Sequence, residues 1–261
     1  MATRRLCSCV SRKPDSLSRA MEWRDEGLII GVRRHGESSA IVELMTRAHG
    51  RHMGIVKGGR SRRMQPVLQP GNSVDAIWRA RLEEHLGLYA IEPLRQRTAT
   101  LMQSGLALAG VNLVGAWLRF LPERDPHESL FEMVDTLCDH LSDMKVAPVL
   151  MARFELAVLS ELGFGLDLER CAATGARDDL VWVSPRTGRA VSRAAGEPWA
   201  DRLLPLPSFL REDAGAGEAS AEDLARAYRL TGYFLERDVL APRGLIEPDA
   251  RRAWLAKSRT T

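Results

Sequence analysis

The sequence predicts an α+β fold, a small barrel of antiparallel strands followed by an α-helical bundle. Three observations carry this. Apolar residues recur at every second position from Asp25 to about Pro93, and at every third or fourth position beyond it. Charge divides at nearly the same place: residues 1–82 hold 16 Lys+Arg against 7 Asp+Glu, and residues 83–261 hold 21 against 27. With 261 residues and 45% hydrophobic content, the chain has apolar surface for one large core or two modest ones.

The elements follow in order. Residues 1–20, rich in Arg, Ser and Cys, read as a flexible extension or an over-long reading of the gene, and the patterned chain opens at Met21. Leu28, Ile30 and Val32 alternate in a first strand, Ala40, Val42 and Leu44 in a second, Met53 and Ile55 in a third. Turn residues at 35–38 and 48–50 separate them. After a long loop come Val74, Ala76, Trp78 and Ala80, then Leu86, Leu88 and Ala90. Five short strands with one long connection between the third and fourth fit a closed barrel of the oligonucleotide-binding (OB) type, spanning residues 21–95. An SH3-like barrel would alternate in the same way.

Residues 96–261 read as a helical domain. Met102, Leu106, Ala109, Leu113 and Trp117 form one stripe before Pro122, and Leu130, Val134, Leu137, Leu141 and Met144 form a second. Asp125-Pro126-His127-Glu128 supplies an N-cap and a first-turn proline for that second helix. A third helix starts near Pro148 and carries Leu150, Phe154, Ala157 and Val158. An insertion at about 164–212 breaks the period and contains the run Leu180–Val183. A flexible link from Asp213 to Ser220 follows, and Ser220 caps a last helix through Leu224, Ala227, Tyr228, Thr231 and Leu235.

Function is most legible between Glu43 and Asp75, where no acidic residue occurs but Arg47, Arg51, Lys57, Arg60, Arg62 and Arg63 do, with glycines at 50, 54, 58 and 59. Guanidinium forks beside flexible backbone suit recurring phosphates and demand no particular base. Arg33, Arg34, Arg79 and Arg81 join these as candidate nucleic-acid contacts on or near the strands, and Trp78 and Tyr89 are the rings available for base stacking, although Trp78 shares its face with Val74 and Ala76. The competing reading is a solvated basic loop.

Other classes find no support. No apolar run approaches the ~20 residues that cross a bilayer, no signal peptide opens the chain, and four cysteines at 7, 9, 138 and 171 form no disulfide framework, so a reducing cytosol is expected. Cys138 is expected to be a small packed residue. The histidines at 35, 49, 52, 85, 127 and 140 are scattered, Ser38 and Ser39 lack a nucleophile-elbow context, and Gly58-Gly59 is not a phosphate loop of the GxxxxGK type. No enzyme is expected.

Two motifs carry a resemblance. Asp25-Glu26-Gly27-Leu28-Ile29-Ile30 with Arg33, Arg34, Gly36, Glu37 and Ser38, then Lys57-Gly58-Gly59-Arg60-Ser61, resembles the N-terminal barrel of the bacterial recombination mediator family RecO. Arg153-Phe154-Glu155-Leu156 followed by Leu162-Gly163-Phe164 and Cys171 resembles that family's third-helix signature, and the likeness runs from Met21 to about Trp254. The resemblance implies a non-enzymatic DNA-repair factor of the bacterial cytoplasm and nucleoid. It would bind single- and double-stranded DNA, anneal complementary strands and, with RecR, promote RecA loading on strands covered by single-stranded-DNA-binding protein (SSB). Arg153 is the candidate anchor for the SSB tail; the alternative is an exposed helix arginine pairing with Glu155 or Asp143. An RNA-binding or ribosome-associated barrel is the competing function.

Several members of that family carry a four-cysteine zinc module in the insertion. Here Cys171-Ala172-Ala173-Thr174 stands where a C-x2-C would be, and 188–195 offers Ser192 but no thiol, so a degenerate zinc-ribbon-like segment without metal is expected. Val181, Trp182, Val183 and Trp199 are expected to hold it by packing.

Overall fold

Strand β1 (Met21–His35) is long enough to pair with two neighbours, β4 (Ser73–Ala80) along its first half and β2 (Ser39–Thr46) along its second. It opens a computed structural model that describes residues 21–211 and 219–258; the extension with Cys7 and Cys9 and most of the Asp213–Ser220 link lie outside these residues. β3 (Gly50–Val56) follows β2 antiparallel, and a parallel contact between Ile55 and Leu88 of β5 (Leu88–Arg95) closes the barrel in the order β1-β2-β3-β5-β4. That closed order is the OB fold and removes every free sheet edge.

The alternation in β1 changes phase at a bulge. The register shifts between Ile29 and Gly31, so Ile29 faces Leu44 in the barrel interior, and beyond the shift Val32 lies opposite Val42 at the exposed mouth. Leu28 and Ile30 instead point out of the barrel and join the helical core with Met45. Both faces of this segment are thus buried. Two strands also present the opposite face from that expected. In β3 the buried side is His52, Gly54 and Val56, while Met53 and Ile55 lie half-exposed; in β5 Tyr89 turns inward and Leu88 and Ala90 outward. Gly54 is required there, because a Cβ would lie 2.5 Å from the Tyr89 ring. Trp78 is buried in the barrel core, as its face predicts.

Helices α1 (Thr98–Leu101), α2 (Gly105–Leu118), α3 (Glu128–His140) and α4 (Ala147–Glu161) follow. Ser104 caps α2 by accepting from Ala107 N, and Leu106, Ala109, Leu113 and Trp117 are buried along it. Met102 is 68% exposed because the chain breaks between α1 and α2, and Met144 lies beyond the end of α3 and is also exposed. The expected Asp125 cap is corrected: α3 starts at Glu128 with His127 at the cap position and no side-chain cap, and the Asp125 backbone is pressed so closely against Gly50 that a Cβ there would lie 1.9 Å from Asp125 O. Cys138 is buried among apolar residues, and burial pushes its thiol up to about 12.

The insertion forms a three-stranded sheet in the order β7-β6-β8, from β6 (Leu180–Val183), β7 (Ala190–Ser192) and β8 (Leu204–Pro205), with the single turn α5 (Arg193–Gly196) following β7. Val183 is fully buried and Trp182 packs over Gly196, but Trp199 is 56% exposed, contacts Arg202 at the surface and lies outside the packed core, contrary to expectation. A capping box from Ser220 and Asp223 starts α6 (Ala221–Phe234). The last helix, α7 (Asp249–Ser258), has no counterpart in the sequence reading; it inserts Trp254 and Arg251 against α2 and α6. Arg251 and Glu155 form a buried ion pair at 2.8 Å, and Glu155 also accepts from Trp117 Nε1 and the Thr231 hydroxyl. The third-helix signature therefore places its carboxylate at the polar centre of the helical core. Among the described residues no helix is long and apolar enough to cross a membrane.

Barrel and helices meet at a charged seam. Arg119 donates from Nη2 to Ile30 O, the carbonyl at the bulge, and from Nε to Glu43; Arg51 donates to the other Glu43 oxygen and to Leu121 O. Arg97, 6% exposed, forks onto Asp135 and Asp139 and donates to Gly71 O and the Ser73 hydroxyl. Arg97 and Arg51 are desolvated with their carboxylates in place, the condition under which a buried charge is tolerated, while Arg119 pairs from the exposed edge of the seam.

Candidate nucleic-acid interface

One mouth of the barrel is lined by the end of β1, the β1–β2 turn and the β3–β4 loop. Gly36 adopts φ 58° in the turn, and Gly58 adopts φ 67° as the chain leaves β3. Gly59 then packs so closely on Ala40 that a Cβ would lie 2.9 Å from its side chain. The loop continues through helical turns at 61–68, and its apolar side inserts Val67 and Leu68 into the barrel core. Asn72 donates to Pro66 O and Val67 O, which fixes the return into β4. This anchoring turns the opposite side of the loop outward.

Arg33, Arg34, Lys57, Arg62 and Arg63 are exposed around this mouth, and none has a carboxylate partner among the described residues. Arg33, Arg34 and the loop enclose a cleft of about 430 Å³ that also touches Ser38, Gly59 and Gln69. Arg60 sits between them with its Nη1 donating to Gly36 O at 3.1 Å and Glu37 O at 2.6 Å.

The remaining candidate cations are elsewhere. Arg47 and Arg51 belong to the seam: Arg47 pairs with Glu26 and Glu132 and lies over the Phe131 ring, and Arg51 is tied to Glu43 and Glu123. For either to meet DNA, phosphate would have to displace carboxylates already in contact. Arg79 pairs with Glu22 at 2.7 Å, and Arg81 is exposed just beyond it. The row Arg33, Ile41, Ile55, Leu88, Arg79 is in register around the barrel, so Arg79 lies four strand spacings from Arg33, a path of about 19 Å along the curved sheet.

The two rings considered for base stacking are both interior. Trp78 is 1% and Tyr89 5% exposed, and they cluster with Trp23, His49 and His52. Trp23, which the sequence did not single out, stacks on His49 at 4.1 Å, and Asp25 accepts from the His49 Nδ1. Burial and the charge of Arg124 bring His52 down to about 4, so it is a neutral core group that hydrogen-bonds the Tyr89 hydroxyl.

Arg153 pairs with neither Glu155 nor Asp143; its Nε and Nη2 both donate to Phe209 O, which latches the insertion onto α4. Cys171 is buried, and its sulfur accepts from Ser192 N and Oγ at 3.3 and 3.4 Å. Burial would raise this thiol, but the hydrogen bonds from Ser192 and Thr174 outweigh it and bring it to about 6. One thiol among hydroxyls does not fit a zinc ion, which takes four N, S or carboxylate donors. Among the described residues no group of three or more His, Cys, Asp or Glu is arranged to hold a metal ion.

A closed OB barrel with an arginine-rich mouth, seamed to a helical domain, defines the class of protein. Residues 21–97 match the family described as Recombination protein O N terminal, and residues 102–244 match Recombination protein O C terminal. The DNA repair protein RecO of Chelativorans sp. is 60% identical over 239 residues, covering 90% of this chain and 95% of that protein. RecO of Methylocella silvestris is 59% identical, covering 91% and 96%, and RecO of Brucella abortus 57%, covering 90% and 95%. The chain belongs to the RecO family of DNA repair and recombination proteins.

Proposed function

We propose that the chain is a recombination mediator that binds single- and double-stranded DNA through the barrel mouth and anneals complementary strands. With RecR it promotes RecA loading on SSB-coated single strands in the bacterial cytoplasm, at the nucleoid. The observation that carries this reading is the rim of exposed cations, Arg33, Arg34, Lys57, Arg62 and Arg63, without carboxylate partners among the described residues, combined with the burial of Trp78 and Tyr89. Such a surface neutralises phosphates and offers no aromatic shelf to hold bases, so pairing edges stay free to find a complement. Arg81 lies outside this rim as a peripheral contact. Residues 21–95 form the DNA-binding unit and 96–261 the helical unit, with Arg153 as the anchor for the acidic SSB tail. No cofactor enters this reading.

The test is an annealing assay with fluorescent complementary oligonucleotides, run with and without SSB. Wild type should accelerate annealing in both conditions, with an acceleration that falls steeply with salt. No acceleration at low salt overturns the reading, and equal or tighter binding of RNA in competition favours the ribosome-associated alternative.

A further inference from the structure

We infer that Arg60 is a positioning residue that clamps the β1–β2 turn to the β3–β4 loop, so that two separate cationic segments form one continuous rim. The inference deepens the proposed function and rests on it for its consequence, though not for its geometry. The turn residues 35–38 are exposed, and the open space around Gly36 holds nothing within 4 Å of where a Cβ would stand. Among the described residues, every hydrogen bond that reaches this turn from outside its own hairpin comes from Arg60: Nη1 to Gly36 O and Glu37 O, and the backbone N to Ser38 O at 3.0 Å.

Arg60 can act as a clamp because its own segment is fixed. Gly59 N donates to Val56 O, Gln65 Nε2 donates to Arg60 O, and Val67 and Leu68 are inserted in the core a few residues on. Arg33 and Arg34 are held by their ladder with Ile41 and Ala40, and Arg60 ties the turn beyond them to the loop that carries Arg62 and Arg63, so the two cationic segments keep one spacing. Binding that must first order a loop loses affinity to that ordering, and a loop already held in place avoids the loss. A guanidinium engaged on carbonyls is a different instrument from Arg62 and Arg63, which point to solvent from the same loop.

The experiment compares Arg60→Met with Arg62→Met in the full chain, since both remove one positive charge from one loop. Without DNA, exchange of the residue 60 amide, which donates to Ser38 O across the turn, should accelerate about tenfold or more in Arg60→Met and stay unchanged in Arg62→Met. With a duplex, Arg62→Met should lower the slope of log affinity against log salt by about 0.9. Arg60→Met should lower it further, because the turn and the loop part and the two cationic segments no longer meet one phosphate chain together. Unchanged exchange in Arg60→Met, or a slope loss no greater than that of Arg62→Met, overturns the inference. If wild type itself fails to bind oligonucleotides, the proposed function falls, and the exchange comparison still decides the clamp.

Discussion

At the rim, Arg33, Arg34, Arg62 and Arg63 face water with no carboxylate partner among the described residues; at the seam, Arg51, Arg97 and Arg119 each meet at least one, at distances between 2.5 and 3.4 Å. Both regions draw on the same stretch of basic sequence, and Arg51 and Arg62 are only eleven positions apart. What separates them is what each guanidinium has been given to neutralise. An arginine paired with carboxylates of the fold holds the fold, and an unpaired, hydrated one is available to an outside polyanion. Charge counted along the chain cannot distinguish the two.

The largest effect should come from the seam. Arg97→Met leaves Asp135 and Asp139 without their fork, and breaking such a pair should cost about 3 kcal/mol, the lower end of the usual range because Arg95 still bridges both carboxylates. Burial raises Asp135, but its hydrogen bonds from Ser73 and Arg97 outweigh that and hold it below its ordinary value of 3.8. A carboxyl so lowered contributes stability above that value and loses it as pH falls through the lowered one. The deficit of Arg97→Met, read from denaturant midpoints, should therefore shrink below about pH 4. Its DNA salt slope should match wild type; a changed slope would mean that the seam also meets DNA.

The rim should behave in the opposite way. Replacing Arg62 and Arg63 together by Gln should reduce the salt slope for duplex by about 1.8, or about 1.4 for a single strand, and leave the melting temperature where it was. Loss of stability with an unchanged slope would erase the distinction between the regions.

How much of this was legible in the sequence follows from the range of the interactions. The five strands, the switch to helices near Pro93 and the buried face of β4 were readable because alternation is a local property. The bulge at Ile30 was not, since it depends on α2 arriving with Arg119 to take the freed carbonyl. The faces of β3 and β5 were inverted because Gly54 and Tyr89 form one interior contact, so a strand containing Gly and His on its inner side looks polar on the wrong face. At the site, the basic loop was evident but its division was not. Glu43 lies 76 residues from Arg119, and Asp135 and Asp139 lie 38 and 42 from Arg97, separations at which no spacing rule operates. Helix α7 escaped notice because only Trp254 and a buried arginine mark its inner side.

The smallest expected effect tests a case between the two. Arg79 is exposed like the rim and paired like the seam, with Glu22 accepting from both Nε and Nη2. The hydrogen bond from Arg79 holds the Glu22 carboxyl below its ordinary range, so the glutamate stays ionised and competes with any phosphate for the same fork. Glu22→Gln removes that competitor without touching the arginine. If availability is what makes an arginine part of the interface, the substitution should steepen the duplex salt slope by less than about 0.9, the full value of one new phosphate contact, because Arg79 lies about 19 Å from Arg33 along the curved sheet and engages only the longer bound strands. Short oligonucleotides should show no change, and neither should the melting temperature, since an exposed pair screened by water contributes little to folding. An equal gain on short and long strands would instead place Arg79 inside the rim, and the boundary between the two regions would have to be redrawn along the row from Arg33 to Arg79.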